Sequence, residues 1–256
     1  VCGHIKRLAS PYFWPILKKE NKWAVKPIPG PHPKEYSIPL AYILRDLFGY
    51  ASNMKEVKYI LANGWVKRDK KVVRDHRFPI GFMDVLELSK DKFCYRMLPY
   101  KGYPLVVAKI TEEESYFKAC KIINKTSVKG NKIQVTLHDG RNLLIDSSDS
   151  NKFKVNDTVV IGLPDQEIKD VIKFEVGKYC LIYRGENAGE HGILKKIEEA
   201  LPRKNSIITI ENEKGFTIKT NIRYGICIGY EKPILKLISS EEDYIKPRIY
   251  SKMRFL

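Results

Sequence analysis

Seven of the chain's fourteen prolines (Pro11, Pro15, Pro27, Pro29, Pro31, Pro33 and Pro39) stand within its first 39 residues. Each removes a backbone donor and fixes φ, so this stretch excludes a long helix or a central strand. It is expected to run as an extended arm anchored by Tyr12, Phe13, Trp14 and Trp23, with Lys6-Arg7 as its basic pair. Two roles fit such an arm, and both can hold together. It can pack along its own domain, or thread into folded RNA, where phosphates meet lysines and bases stack on rings.

Charge points to the same kind of partner. Lys and Arg number 46 against 30 Asp and Glu, a net charge of +16. Residues 1–38, 39–100 and 176–256 each carry a net +5, whereas residues 101–175 carry only +1. A polyanion partner follows, met by three basic regions around a near-neutral middle. With 34 Lys to 12 Arg, the composition suits phosphate contacts better than base reading.

Other classes find little support. The five cysteines are scattered and form no C-x-x-C pair, which argues against a disulfide framework or zinc ribbon and for a reducing compartment. No apolar run is long enough to span a bilayer, and the first residues show no signal-peptide core. The five histidines are far apart, and no Walker loop, G-x-S-x-G or H-E-x-x-H occurs. Cys2 and His4 would supply only two of a metal's ligands. The expectation is no catalytic residue, no cofactor, no metal, no small-molecule substrate, no membrane and no homo-oligomer.

Beyond the arm, periodicity predicts elements. Leu40, Ile43, Leu44, Leu47 and Phe48 define one helical stripe over 40–49. Asn53 and Glu56 open a second helix as a capping-box-like pair, and Gly64 stops it. A hairpin follows, Trp65–Lys67 and Val72–Arg74, its turn Arg68-Asp69-Lys70-Lys71 crowded with cations whose repulsion a phosphate backbone would relieve. From residue 100, strands and turns dominate. Thr111 to Glu114 opens a short helix toward Lys118. Cys120–Val128, Lys132–His138 and Arg141–Ile145 are joined through Lys129-Gly130-Asn131 and Asp139-Gly140. Val159–Leu163, Val171–Phe174, Tyr179–Ile182, Ile193–Lys196, Ser206–Ile210 and Phe216–Thr220 continue the pattern.

Lys71-Val72-Val73-Arg74-Asp75 followed by Phe78-Pro79-Ile80-Gly81-Phe82-Met83-Asp84-Val85 resembles the eukaryotic and archaeal small-subunit ribosomal protein four family, distinct from the bacterial protein of the same number. His4, Lys6-Arg7, Pro11, Trp14 and Gly30-Pro31-His32 match that family's arm. Ile110-Thr111, Cys120-Lys121, Val155-Asn156-Asp157-Thr158 and Ile172-Lys173-Phe174 match its middle. Gly185, Asn187, Gly189 and Gly192 match its KOW loop, and Asn221-Ile222, Ile228-Gly229 and Lys232-Pro233 its tail. Two residues depart: Arg184 stands where Gly is usual, and Glu190 where Arg is usual.

The resemblance implies an α+β, multi-domain chain. It would comprise an extended basic arm (1–39), a two-helix-plus-hairpin RNA-binding module (40–99), a central small β-barrel-like domain (100–175), and an SH3-like KOW barrel with a C-terminal extension (176–256). It implies a structural constituent of the cytosolic small ribosomal subunit, bound to the five-prime domain of its rRNA and beside other small-subunit proteins, having passed through the nucleolus for assembly. Candidate RNA contacts are Lys6, Arg7, Trp14, Lys18, Lys19, Lys26 and His32 in the arm, then Arg45, Lys55 and Lys58 on the helices. Lys67, Arg68, Lys70, Lys71, Arg74 and Arg77 follow on the hairpin, and Arg184, Asn187, Lys195 and Lys196 in the KOW module. An RNA chaperone or assembly factor would show the same chemistry. An RNA-modifying enzyme would need a catalytic Asp in a buried cleft, for which the strand-rich remainder offers no candidate.

Overall fold

A computed structural model describes residues 3–91, 93–201, 206–212, 215–238 and 243–245. They fall into two compact units, one drawn from the ranges 1–97, 105–115 and 238–256, the other from 98–104 and 116–237.

In the first unit the proline-rich stretch is folded down. Strands β1 (Ile5–Lys6) and β2 (Trp23–Ala24) pair antiparallel, while Phe13, Trp14 and Ile16 are buried. Strand β3 (Ser37–Pro39) leads into α1 (Leu40–Tyr42), which continues as a π-helical stretch over Ile43–Leu47. The helix expected over 40–49 is thus present but changes pitch; of its stripe, Leu40, Ile43, Leu44 and Leu47 are buried, while Phe48, just past the last helical residue, is half-buried. Helix α2 (Met54–Ala62) begins where the sequence indicated. The Asn53 side chain accepts from the amides of Lys55 (2.9 Å) and Glu56 (3.0 Å), and Glu56 reaches back to the amide of Ser52 at 2.6 Å. A cap of this kind contributes about 1 kcal/mol.

The hairpin β4 (Val66–Arg68) and β5 (Lys71–Val72) closes through Asp69 and Lys70, both at positive φ (48° and 66°), a tight two-residue turn built without glycine. Strand β6 (Pro79–Gly81) pairs with β3. Strands β7 (Val85–Leu88), β8 (Cys94–Tyr100) and β9 (Tyr103–Ile110) extend the hairpin into a six-stranded sheet whose other edge is Tyr244–Ile245. After it, the helix expected to run from Thr111 toward Lys118 is only a 3-10 turn over Glu113–Tyr116. Lys118 lies on a strand of the second unit, where its ammonium must reach buried Asp139, 3.1 Å away, and a helix there would lose that pair.

The second unit holds two five-stranded antiparallel sheets. One contains β10 (Phe117–Val128), β11 (Lys132–Leu137), β12 (Asn142–Asp146), β13 (Thr158–Gly162) and β14 (Ile168–Ile172). Its core gathers Cys120, Ile122, Ile133, Val135, Leu137, Val159 and Ile161, alternate residues of β10, β11 and β13, together with Phe153 from the turn after β12. The other contains β15 (Tyr179–Ile182), β16 (His191–Glu198), β17 (Ile207–Glu211), β18 (Thr217–Asn221) and β19 (Gly225–Gly229). Val160 and Ile172 of the first sheet pack into the second sheet's core, with Cys180, Ile182, Leu194, Ile208 and Cys227. The outcome is a mixed fold with few helices and many strands in several sheets.

Candidate nucleic-acid interface

The segment around Asp84 fastens the arm to the hairpin. Asp84 is buried and accepts from Arg68 Nη2 (2.7 Å) and from the amide of Gly81 (2.9 Å), with His32 Nε2 at 3.1 Å. A Cβ on Gly81 would stand 2.3 Å from the His32 ring, so glycine is required there for the ring to fit. Met83 turns the chain at φ 64°. His32 and Arg68 are therefore internal, and so is Trp14, whose indole N–H donates to the Ser37 carbonyl at 2.8 Å.

On the hairpin the six cations divide. Arg68 is held by Asp84 and lies 3.3 Å from Asp69; Lys70 binds Glu87 and donates to Ser115 Oγ at 2.7 Å. Carboxylates of the fold itself therefore relieve part of the crowding. Arg77 is exposed but paired to Asp75 at 3.0 Å, which lowers the Asp75 carboxyl's pKa through that hydrogen bond. Lys67, Lys71 and Arg74 are exposed and have no ion-pair partner among the described residues. Lys67 shares a face of the ribbon with Val72, and Lys71 shares the other with Arg68.

Elsewhere in this unit Lys6, Lys18 and Lys19 are exposed along the arm, as are Lys55 and Lys58 on the outer side of α2. Lys26 is half-buried. Arg7 is buried and paired to Glu20, and Arg45 is paired to Asp46 at 2.9 Å. Cys2, the suggested partner of His4 in a metal site, lies outside the described residues.

In the second unit, the loop 184–192 is shaped by packing. A Cβ on Gly189 would meet the Tyr100 backbone at 2.6 Å, and one on Gly192 the Glu211 carbonyl at 2.0 Å. Glu190 accepts from Asn212 Nδ2 at 2.7 Å, which gives the departure from the family's Arg a structural role. Arg184 lies 5.1 Å from the Tyr183 ring and Asn187 is exposed. Lys195 and Lys196 are exposed but paired to Glu211 (2.6 Å) and Glu198 (3.0 Å).

Three residues outside the candidate set shape these surfaces. Lys121 is buried on β10, and its ammonium donates to the carbonyls of Ile222 (2.7 Å) and Gly225 (2.6 Å), with Arg223 at 3.4 Å. Burial pushes its pKa down to about 7. Lys22 and Trp23 are the others: the ammonium sits 5.2 Å from the indole centroid, and Trp23 is 45% exposed. The adjacent Lys-Trp pair in a basic arm was the available signal for these two.

A basic, β-rich chain of two units, with the arm of the first pinned onto a helical module and lysines left outward, is a multi-sheet scaffold that presents exposed cations. Comparison with known proteins is specific. A family model described as "Ribosomal family S4e" matches residues 92–168, and one for the RS4NT (NUC023) domain matches residues 3–35. The chain is 42% identical over 238 residues to the small ribosomal subunit protein eS4 of Aeropyrum pernix, covering 91% of this chain and 94% of that one. With the protein of the same name from Ignicoccus hospitalis the identity is 41%, at the same coverage. The crystal structure of the 30S ribosomal protein S4e from Thermoplasma acidophilum superimposes with a TM-score of 0.63 at 32% identity, over 77% of this chain and 96% of that one. The chain belongs to the S4e family of ribosomal proteins.

Proposed function

We propose that this protein is a structural, non-catalytic constituent of the small ribosomal subunit, residing in cytoplasmic ribosomes. It binds and positions small-subunit rRNA, in the five-prime domain, beside neighbouring small-subunit proteins. The observation that carries this reading is near end-to-end similarity to proteins named as small-subunit constituents, joined to exposed cations that have no acidic partner among the described residues. Phosphates approaching Lys67, Lys71, Arg74 and the arm lysines displace condensed counterions, and rRNA helices can then pack with less mutual repulsion. Within this reading the chain is organised as an arm (1–39), a helical RNA-binding module (40–99), a central β domain (100–175) and an SH3-like KOW barrel with its extension (176–256).

Sedimentation tests it. Stable co-migration with mature small subunits in moderate salt is the expected result. A free pool, or association with precursor particles only, would overturn it in favour of an assembly factor or RNA chaperone.

A further inference from the structure

Pairing of β1 with β2 brings the two ends of residues 7–22 together, and the Arg7 amide donates to the Lys22 carbonyl at 3.1 Å. Beside this ribbon lies a cleft of about 510 Å³ whose walls include Arg7, Lys22, Trp23, Tyr42 and Arg45. That volume falls within the roughly 300–1,000 Å³ of small-ligand sites. Tyr42 is fixed in its wall, its hydroxyl accepting from the Val25 amide at 2.7 Å.

The cations of this cleft are prepared for an oxyanion. Arg7's side chain is only 5% exposed, and it uses Nη2 on Glu20 at 2.9 Å while its buried Nε has no hydrogen-bond partner among the described residues. Guanidinium groups favour two parallel bonds to one anion, so a single Glu20 oxygen leaves this fork half used. Glu20 itself is 57% exposed, which makes it inexpensive to displace. Lys22 has no carboxylate partner among the described residues and stands over Trp23. Arg45, tied to Asp46, lies 5.6 Å from the Tyr42 ring. His4 packs against Trp23 at 4.2 Å between centroids, leaving the rest of the indole open. Cations around an accessible aromatic ring are the combination that holds a single-stranded nucleotide, phosphate on the charges and base on the ring.

We propose that this cleft binds one nucleotide, its phosphate replacing Glu20 at Arg7 and reaching Lys22 and Arg45, its base against Trp23. The inference rests on the RNA-binding reading above and assigns a single-nucleotide site within it. The nucleotide can be an unpaired unit of an RNA strand or a free nucleoside monophosphate, since both offer the same chemistry.

The test uses the full chain with three probes: a short single-stranded oligoribonucleotide, adenosine 5′-monophosphate and adenosine. Quenching of tryptophan fluorescence, compared between wild type and Trp23→Phe, reports binding at this ring. Trp23→Ala should weaken oligoribonucleotide binding by roughly tenfold, with Trp23→Phe retaining most of it. Lys22→Ala should weaken it by a few-fold, and Glu20→Gln should strengthen it by a similar factor, an improvement that misfolding would not produce. Adenosine without phosphate should fail to quench. Quenching by the strand alone assigns the site to RNA; comparable quenching by the monophosphate assigns it to a free nucleotide. The proposal is overturned if Glu20→Gln and Trp23→Ala both leave affinity within about twofold of wild type. Were the variants also to co-sediment normally with small subunits, only the cleft assignment would fall; absence of wild-type co-sedimentation would remove the ribosomal reading itself.

Discussion

The hairpin of the first unit and strand β16 of the second both read as basic patches, yet their cations are handled in opposite ways. On the hairpin the inner cations Arg68 and Lys70 meet carboxylates, and the outer Lys67, Lys71 and Arg74 have no ion-pair partner among the described residues. On β16 the outer Lys195 and Lys196 are themselves paired with Glu211 and Glu198. Of the buried cations in the second unit, Lys118 meets Asp139, whereas Lys121 has backbone carbonyls as its hydrogen-bond partners. Net charge therefore measures neither site. What matters is whether a cation reaches solvent without an acid beside it.

The largest effect that can sharpen this contrast lies at Asp84. Asp84→Ala leaves Arg68 without its closest anion and frees His32 and the Gly81 amide, in a place water barely reaches. Breaking a buried pair from one side costs about 3–5 kcal/mol. Urea unfolding should show the unfolding free energy lowered by that amount, through a lower midpoint with the slope unchanged. A loss below about 1 kcal/mol would mean that Arg68 re-pairs with Asp69, and that the hairpin's inner cations do not depend on Asp84.

Lys121 should behave differently because it titrates. In the folded chain its pKa is pushed down to about 7 by burial, against 10.5 for an ordinary lysine. Between these values the unfolded chain holds the extra proton, so this residue's contribution to stability rises with pH; below about pH 7 both states are protonated and the contribution is flat. Lys121→Met leaves the carbonyls of Ile222, Arg223 and Gly225 without this donor, at a cost of about 1–3 kcal/mol. The stability difference between wild type and Lys121→Met should widen from pH 7 to pH 9, at no more than about 1.4 kcal/mol per pH unit. A difference constant across that range would show that the three carbonyls keep the ammonium charged.

Legibility followed the same division. The α1 stripe, the Asn53 cap and the Asp139-Gly140 turn were readable because each is a local pattern with one cheap structural solution. Strands β8 and β9 were not, since Met97 through Tyr100 and Leu105 through Ala108 are buried on successive residues and show no alternation. Strand alternation alone would turn Lys121 outward, since its neighbours Cys120 and Ile122 occupy one core; the other side of β10 is covered too, which no local pattern reveals. Among the candidate contacts on the hairpin, Lys67, Lys71 and Arg74 are the cations that stand exposed without an ion pair among the described residues. Residue type could not tell that Trp14, His32, Arg7 and Arg68 serve the arm's own packing, because their partners Ser37, Asp84 and Glu20 lie 13 to 52 positions away.

The smallest effect on the fold is the sharpest on the comparison. Replacing Lys67, Lys71 and Arg74 together by Gln should leave unfolding within about 0.5 kcal/mol, since none holds an ion pair within the described structure. If all three meet phosphate, the slope of log affinity for small-subunit rRNA against log salt should fall by roughly two to three. The matching Lys195→Gln/Lys196→Gln variant tests the other side. Each lysine already lies beside an acid, so a phosphate must displace Glu211 or Glu198 before it gains anything. Its salt slope should change by less than about one. Equal changes in the two variants would show that the carboxylates on β16 swing away when RNA arrives. The two patches would then differ only in the free protein, and their contrast would belong to folding rather than to recognition.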